Sequence, residues 1–450
     1  MNPGRRPRAS RIDRVSAPWP TVGGVPPTGE YRVSTTWRDV IDAAISVGRD
    51  ATAWLVAVPT LAWSEIVARR SPLIAYLGRS PNYGGQHGSG YMVEPNVVYR
   101  EGTERTAQAA FGYRIGMTMA EWACRGLMGL GPTVHAEGQR PPDAGPAWEP
   151  ANGLPDLLGA HPSAPQRWLI EAKGARRLGR GPLRKGAAQL SVPGLLNGPH
   201  LRVLCGTSLE HRLFMTIDVE EVQAGRRMRQ LRSADPVEDD DALLALARSR
   251  MLAYLALAAL PGSARSIVPV GSGVVGRASR GPSGLVTLLE TDGSTFAERT
   301  EARNADLYRR RSARQRLDML TGLIPGTDVI IGMSRRLFTA CRNLAALQAD
   351  LAATVDAELP MQYDEDLQQD ALDERSNERH RLYWEHEEAI VPLARDAVRR
   401  GFALGRGASW ENLLDQETPM RTDAPAGFLE AATEDTYLAV DARTVRAEAQ

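Results

Sequence analysis

The spacing of apolar residues predicts helices in the first part of the chain. Apolar positions recur at helical intervals over Thr36–Val47, and a further helical stretch over Asp50–Arg70 is interrupted at Pro59, which has no backbone N–H to donate. A long helix is predicted to begin after Thr103, a residue type suited to capping. It ends near Leu130, where glycine and proline follow.

After residue 132 the pattern changes to short apolar runs that are typical of strands. A helix and two more runs follow the first three. The predicted strands are Thr133–Glu137, Leu154–Leu158, Arg167–Ala172, Leu201–Gly206 and Arg212–Val219, with the helix at about Pro182–Leu190. The order helix, three strands, helix, two strands indicates an α/β unit with a mixed central sheet.

In the rest of the chain, changes of composition indicate the predicted elements and divisions. An apolar Ala/Leu-rich helix is predicted over Ala242–Leu260, β character over Ile267–Leu289, and mostly helix from about Thr295 to Arg399. The predicted divisions are a disordered basic tail (1–30), an N-terminal helical region (31–95), the α/β core (96–225), a linker with a buried helix and a small β region (226–295), and a mainly helical C-terminal domain (296–450).

Composition narrows the class of protein. The 450 residues carry a formal net charge of zero, so a nucleic-acid site would have to be a local patch. The three cysteines are odd in number and widely spaced, which indicates free thiols in a reducing interior. The most apolar run, Thr52–Trp63, is about half the length that spans a bilayer. We therefore expect a soluble cytoplasmic protein that does not enter a membrane.

Lysine usage singles out one stretch of the chain. The 54 Lys+Arg residues include only two lysines, Lys173 and Lys185, which lie close together in the sequence. Arginine replaces lysine wherever the two are interchangeable, and they are not interchangeable where chemistry needs a compact ammonium. The two lysines therefore mark a candidate site.

Two acids accompany these lysines. Asp156 follows Pro155 at one apolar run, and Glu171 precedes Lys173 by two positions at the end of the next. Side chains alternate along a strand, so Glu171 and Lys173 project to the same face. Two carboxylates on adjacent strands suit a hard cation such as Mg²⁺, and a lysine beside them can stabilise charge on a phosphate.

The pattern Pro155-Asp156, a spacer, and Glu171-Ala172-Lys173 resembles the PD-(D/E)XK nuclease superfamily, to which restriction endonucleases belong. The resemblance implies a restriction-endonuclease-like mixed central sheet flanked by helices. It also implies that Asp156 and Glu171 bind Mg²⁺ or Mn²⁺ while Lys173 assists the attacking water. It covers about a quarter of the chain, and the alternative is a surface hairpin in which an acid and a lysine form a weak ion pair.

The resemblance implies further site residues. Members of the superfamily often carry a glutamate on the helix before the sheet, a place that Glu121 or Glu104 could fill, with Glu121 the better match in spacing. Gln189 matches a glutamine found on the helix after the lysine strand in one branch. The tyrosine that often follows four residues later is replaced here by Pro193. Lys185 lies four residues before Gln189, on the same face of the helix.

A run of basic residues follows the Glu-x-Lys pattern directly. Its members after Lys173 are Arg176, Arg177, Arg180, Arg184 and Lys185. Such a cluster beside a metal site would hold a phosphate backbone with salt-dependent affinity that is largely independent of sequence. A solvated loop is the alternative.

We therefore predict a Mg-dependent nuclease that hydrolyses phosphodiester bonds in nucleic acid, DNA more than RNA, as an endonuclease in antiviral defence or restriction, or as a toxin. A protein partner or a second copy of the chain could bind through the C-terminal helical domain. The alternative is a catalytically inactive nuclease-fold scaffold that docks a partner.

Overall fold

A computed structural model describes most of the chain. The described residues are 7–14, 30–34, 37–47, 55–81, 91–127, 133–138, 140–149, 152–160, 167–222, 240–270, 285–287, 317–360, 369–414, 419–423 and 425–441. The helices are α1 (Trp37–Ser46), α2 (Leu61–Tyr76), α3 (Arg105–Glu121), α4 (Arg180–Leu190), α5 (Asp240–Ala258), α6 (Arg335–Glu358), α7 (Gln369–Gly407) and α8 (Trp410–Leu413).

The strands form two sheets. Those of the first sheet are β1 (Pro7–Arg14), β2 (Glu30–Ser34), β3 (Leu77–Pro81), β4 (Tyr91–Pro95), β5 (Val134–His135), β6 (Leu157–Ala160), β7 (Arg167–Ala175), β8 (His200–Ser208), β9 (Phe214–Val222) and β11 (Leu285–Thr287). Those of the second are β10 (Arg265–Val270), β12 (Leu317–Leu323), β13 (Val329–Met333), β14 (Met420–Arg421), β15 (Phe428–Ala432) and β16 (Thr436–Asp441).

The first sheet is mixed and contains the predicted α/β unit. Its main path runs β11-β2-β1-β9-β8-β7-β6-β5, with β4 also paired to β1 and β3 to β4. Strand β7 pairs antiparallel with β6 and parallel with β8, and β8 pairs antiparallel with β9. The predicted order of helix, three strands, helix and two strands is confirmed over 105–222, and the chain is of mixed α/β class with mixed sheets.

The alternation of side chains along β7 sends them into two different cores. Trp168 and Ile170 pack into the larger core with residues of α3, whereas Leu169 packs with Leu190 of α4 in a smaller core. Helices α3 and α4 therefore cover opposite faces of this sheet. Because the period of a strand is two, Glu171 shares the α4 face with Leu169.

Glycines bring α3 unusually close to β7. A Cβ placed on Gly174 of β7 would lie 2.0 Å from the carbonyl oxygen of Gly112 and 2.8 Å from the backbone nitrogen of Gly116, both on α3. A Cβ on Gly116 would in turn lie 2.8 Å from the nitrogen of Gly174. No larger residue fits without separating the two backbones, so these glycines fix the position of α3 next to Lys173.

The second sheet shows that the prediction of a mainly helical C-terminal region was partly wrong. The chain over 296–450 was predicted to be mainly helical, and α6, α7 and α8 agree with this. However, β12–β16 also lie in this region and join β10 in the order β14-β10-β12-β13-β16-β15. The run 317–333 forms a hairpin whose turn contains Gly326 at φ 74, a conformation that glycine adopts readily. The Pro-Gly turn between two apolar runs was the sequence signal that was missed.

The N-terminal predictions were also partly wrong. Residues 7–14, assigned to a disordered basic tail, form β1, which pairs with β9 in the register Ile12↔Met215 and with β2. The helical region 31–95 contains α1 and α2 as predicted, but also β2, β3 and β4. Strand β1 pairs with β9 and β2 with β11, both 200 or more residues away, whereas β3 and β4 pair with each other. Local spacing does not reveal the distant pairings. Residues 1–6 and 15–29, and the start of the predicted linker region over 226–239, lie outside the described residues.

A partly buried ionic cluster connects α1, α3 and α5. Asp42 of α1 accepts hydrogen bonds from Arg250 of α5 at 2.6 Å and 3.2 Å, and it pairs with Arg125, just after α3, at 2.7 Å. Burial alone would raise the pKa of Asp42, but the charges of the two arginines outweigh it and hold that pKa well below its usual range. Asp42 therefore stabilises the folded chain while it is ionised.

We expect Asp42→Asn to lower the free energy of unfolding at pH 7 by about 2–3 kcal/mol, because it removes the acid paired with Arg250 and the nearer of the two acids paired with Arg125. A depressed pKa stabilises the folded state above the pKa of the unfolded chain, so the difference should narrow as the pH falls below about 4. Urea unfolding of both proteins at several pH values checks this. A difference that stays constant with pH would contradict it.

None of the helices in the described ranges is both long enough and apolar enough to cross a membrane.

Candidate active site

Asp156 and Glu171 come together because β6 and β7 are antiparallel. The register pairs Leu157 with Ile170, so the residue before β6 lies beside the middle of β7. Asp156 Oδ2 accepts a hydrogen bond from the backbone nitrogen of Ala172 at 2.8 Å, and the backbone nitrogen of Asp156 donates to Glu171 Oε2 at 3.3 Å. Each carboxylate is thus held by the strand that carries the other.

Both carboxylates are harder to ionise than usual. The pKa of Glu171 is raised to about 7, first by burial and then by the negative charge of Asp156, against the opposing effect of Lys173. Burial also raises the pKa of Asp156, although the hydrogen bond from the N–H of Ala172 and the charge of Lys173 both lower it. Two acids share one neighbouring ammonium, so the pair attracts a further positive charge.

Lys173 completes this group on the same face of β7. Its Nζ donates a hydrogen bond to Glu171 Oε1, and its side chain remains 23% exposed while that of Glu171 is completely buried. The ammonium therefore lies between the buried acid and the surface. This is the position from which it can reach a bound anion.

Helix α4 covers the acids closely. A Cβ on Gly186 would lie 3.1 Å from Cγ of Glu171 and 3.3 Å from Cε of Lys173. One turn further on, the amide of Gln189 lies against Gly153, where a Cβ would be 3.9 Å from its Nε2. Within the described residues no donor reaches the buried Oε1 of Gln189. The predicted glutamine therefore lies next to the loop that carries Asp156, with an acceptor oxygen to spare.

The donor set fits a hard divalent cation. Asp156 and Glu171 offer carboxylate oxygens and Gln189 an amide oxygen, which are the ligand types that Mg²⁺ prefers. In the part of the chain that the structure describes, no three His, Cys, Asp or Glu side chains are grouped closely enough to hold a metal ion. An ion here would take two carboxylates from the protein, with water and a phosphate in its other positions, which is usual for Mg²⁺.

The helix glutamate of the sequence prediction does not join this group, which is a correction. Glu121 is fully buried, accepts a hydrogen bond from Thr133 and lies 3.4 Å from Arg125. Burial raises the pKa of Glu121, and its charged neighbours are Arg125, Arg250 and Asp42 rather than the two acids. It belongs to the ionic cluster on the α3 side. The other candidate, Glu104, is an exposed residue at the start of α3.

The site is bordered instead by two residues, Glu137 and Tyr113, that the sequence did not indicate. The backbone nitrogen of Ala136 donates to the carbonyl of Asp156 at 3.1 Å, which brings the exposed Glu137 next to the acid loop. Tyr113 of α3 follows Gly112, which touches Gly174 next to Lys173. The pKa of Tyr113 is raised by partial burial first and then by the charges of Asp156, Glu137 and Glu171. Neither residue belongs to a local pattern that would have marked it.

The predicted basic residues follow the site along the β7–α4 loop and α4. Arg176, Arg177, Arg180, Arg184 and Lys185 are all exposed. Arg177 is paired with Glu210, whereas Arg180, Arg184 and Lys185 form no ion pair with an acid of the described ranges. These three charges are therefore available to an anion beside the acids.

No family model, no curated protein and no solved structure matches this chain. The class of the protein therefore has to be argued from the site itself.

Proposed function

We propose that the chain is a metal-dependent nuclease that hydrolyses phosphodiester bonds in nucleic acid. One observation carries the proposal: two carboxylates from adjacent antiparallel strands and a lysine from the same face form one partly buried group under a helix. The residues resemble the Pro-Asp … Glu-x-Lys pattern of the PD-(D/E)XK superfamily, which implies a mixed central sheet flanked by helices, and the unit around them is a mixed sheet with helices on both faces.

Each residue has a role in this proposal. Asp156 and Glu171 would hold the cation, and Gln189 lies on the same helix as Gly186, against Gly153 in the loop before Asp156. A divalent cation bound there would bind a non-bridging phosphate oxygen and lower the pKa of the attacking water. Lys173 stabilises negative charge on the phosphate, and Arg184 and Lys185 position the backbone on the helix that covers the site. DNA is the proposed substrate, and defence against foreign DNA or a toxin function is proposed by analogy with the superfamily.

The test is cleavage of plasmid DNA by the purified full chain. We expect nicking or linearisation in Mg²⁺ or Mn²⁺, none in EDTA, and strongly reduced cutting by Glu171→Ala and Lys173→Ala. Retained cutting in both variants would remove the site assignment. An absence of cutting of DNA and RNA with either metal would instead favour a catalytically inactive scaffold.

The basic residues on α4 give a second prediction. The double variant Arg184→Gln/Lys185→Gln should bind DNA more weakly, and the slope of log K against log salt should become shallower by about 0.7–0.9 for each lost phosphate contact. Fluorescence anisotropy with labelled DNA in EDTA measures both. Arg381→Gln, an exposed arginine of α7 paired with Glu378, is the matched control and should leave the slope unchanged.

A further inference from the structure

Tyr113 has an unusual position for a large aromatic residue. It is 54% exposed, although Gly112 just before it and Ile115 two positions after it in α3 are buried. The neighbouring exposed residue, Arg114, points towards α2, where it donates to the carbonyl of Ala68 at 2.9 Å. Since Gly112 touches Gly174, Tyr113 lies where α3 leaves the sheet beside Lys173.

The ring of Tyr113 lacks the contacts that other aromatic side chains of this region make. Tyr76, Tyr99 and Phe111 form a cluster with ring centroids 5.0–5.6 Å apart, two of the three pairs edge to face. In the described ranges, Tyr113 has no such ring contact and its hydroxyl makes no hydrogen bond. An isolated exposed aromatic ring is common, and its location decides whether it has a role.

The location brings an exposed aromatic ring to the part of the sheet that carries the acids and Lys173. The charges of Asp156, Glu137 and Glu171 act on the Tyr113 hydroxyl, and Gly112 beside Tyr113 touches Gly174, the residue after Lys173. Lys173 pairs with Glu171, and the basic residues Arg184 and Lys185 lie on α4, the helix that covers Glu171. Proteins that bind single strands combine a basic track for the backbone with aromatic rings on which bases stack.

We propose that Tyr113 is a stacking platform for an unpaired base next to the phosphate held at Asp156, Glu171 and Lys173. The substrate of the site is then single-stranded or locally unpaired nucleic acid, because bases inside a duplex have no free face to offer a protein ring. This rests on the proposed nuclease function and adds the class of nucleic acid on which it acts.

The experiment compares wild type, Tyr113→Phe, Tyr113→Ala and the surface control Leu404→Ala, which removes an exposed side chain of α7. Binding of a labelled single strand and of its duplex is measured by anisotropy in EDTA, and steady-state cleavage in Mg²⁺. Tyr113→Phe should bind the single strand like wild type. Tyr113→Ala should bind it about 5- to 150-fold more weakly, with a matching rise in KM, little change in kcat and little change in duplex binding.

Four outcomes test this inference and distinguish it from the proposed function. If wild type cleaves and Tyr113→Ala cleaves equally well, the stacking platform is overturned and the proposed nuclease function stands. Single-strand binding that depends on the ring, without cleavage in Mg²⁺ or Mn²⁺, supports the platform and contradicts the hydrolysis. If Tyr113→Phe and Tyr113→Ala lose single-strand binding equally, the hydroxyl acts rather than the ring, and the stacking platform is overturned. A wild type that binds no single strand overturns it as well.

Discussion

Asp156→Asn is expected to reduce metal-dependent cleavage by about 10³-fold or more, because the loss of a charged metal ligand removes several kcal/mol of stabilisation from the transition state. The fold should be retained. Asparagine keeps an oxygen that can accept the hydrogen bond from Ala172, and removing the negative charge lowers the pKa of Glu171 towards its ordinary value. The variant should therefore be at least as stable as wild type.

Plasmid cleavage at several Mg²⁺ and Mn²⁺ concentrations, with thermal unfolding of the same samples, measures both effects. Glu149→Gln is the matched control, since Glu149 is exposed and pairs only weakly with Arg140 at 3.6 Å. It should cut like wild type. Wild-type activity in Asp156→Asn would exclude Asp156 from the site. Lost activity together with lost stability would mean that its role is structural.

Gly174→Ala is expected to destabilise the protein by about 3 kcal/mol or more, at the upper end of overpacking effects. The added methyl group would lie 2.0 Å from the oxygen of Gly112 and 2.9 Å from Cα of Gly116. Both are backbone atoms of a helix, so no side-chain rotation relieves the contact. Helix α3 would have to move away from β7, and Tyr113 would move with it.

Gly181→Ala is the control for this change. A Cβ at Gly181 meets nothing within 4 Å, and the residue lies in the first turn of α4, so alanine should be neutral or stabilise by up to about 1 kcal/mol. Urea unfolding with comparison of midpoints and slopes measures both variants. If Gly174→Ala were as stable as wild type, the close contact between α3 and β7 would be incorrect.

The sequence predicted the central unit because its signals are local. The apolar runs around Leu157 and Ile170 and the glycines after α3 mark the elements, and alternation along β7 places Glu171 and Lys173 on one face. Strand order alone then brings Asp156 to Glu171. The rare lysines added a second, independent indication of the same stretch.

Long-range features could not be predicted in the same way. Glu121 has suitable spacing, but its side chain belongs with Arg125 on the α3 side of the sheet, and which face a helix presents depends on packing. Glu137 reaches the acid loop only through the pairing of Ala136 with Asp156. Strand β1 finds its partner in β9 near Met215, a pairing that leaves no trace in local spacing.

The single core that joins the two sheets has a consequence for the order of folding. Residues of α1, β7, α5, β13 and β16 belong to one continuous apolar cluster, and Arg250 meets Asp42 across 208 positions of sequence. Contacts of this range form slowly, since a long loop must close before they stabilise anything. While the last hundred residues are still being translated, α1 lacks the packing partners that those residues provide. The acid pair on β6 and β7 is then translated long before the packing that supports it is complete.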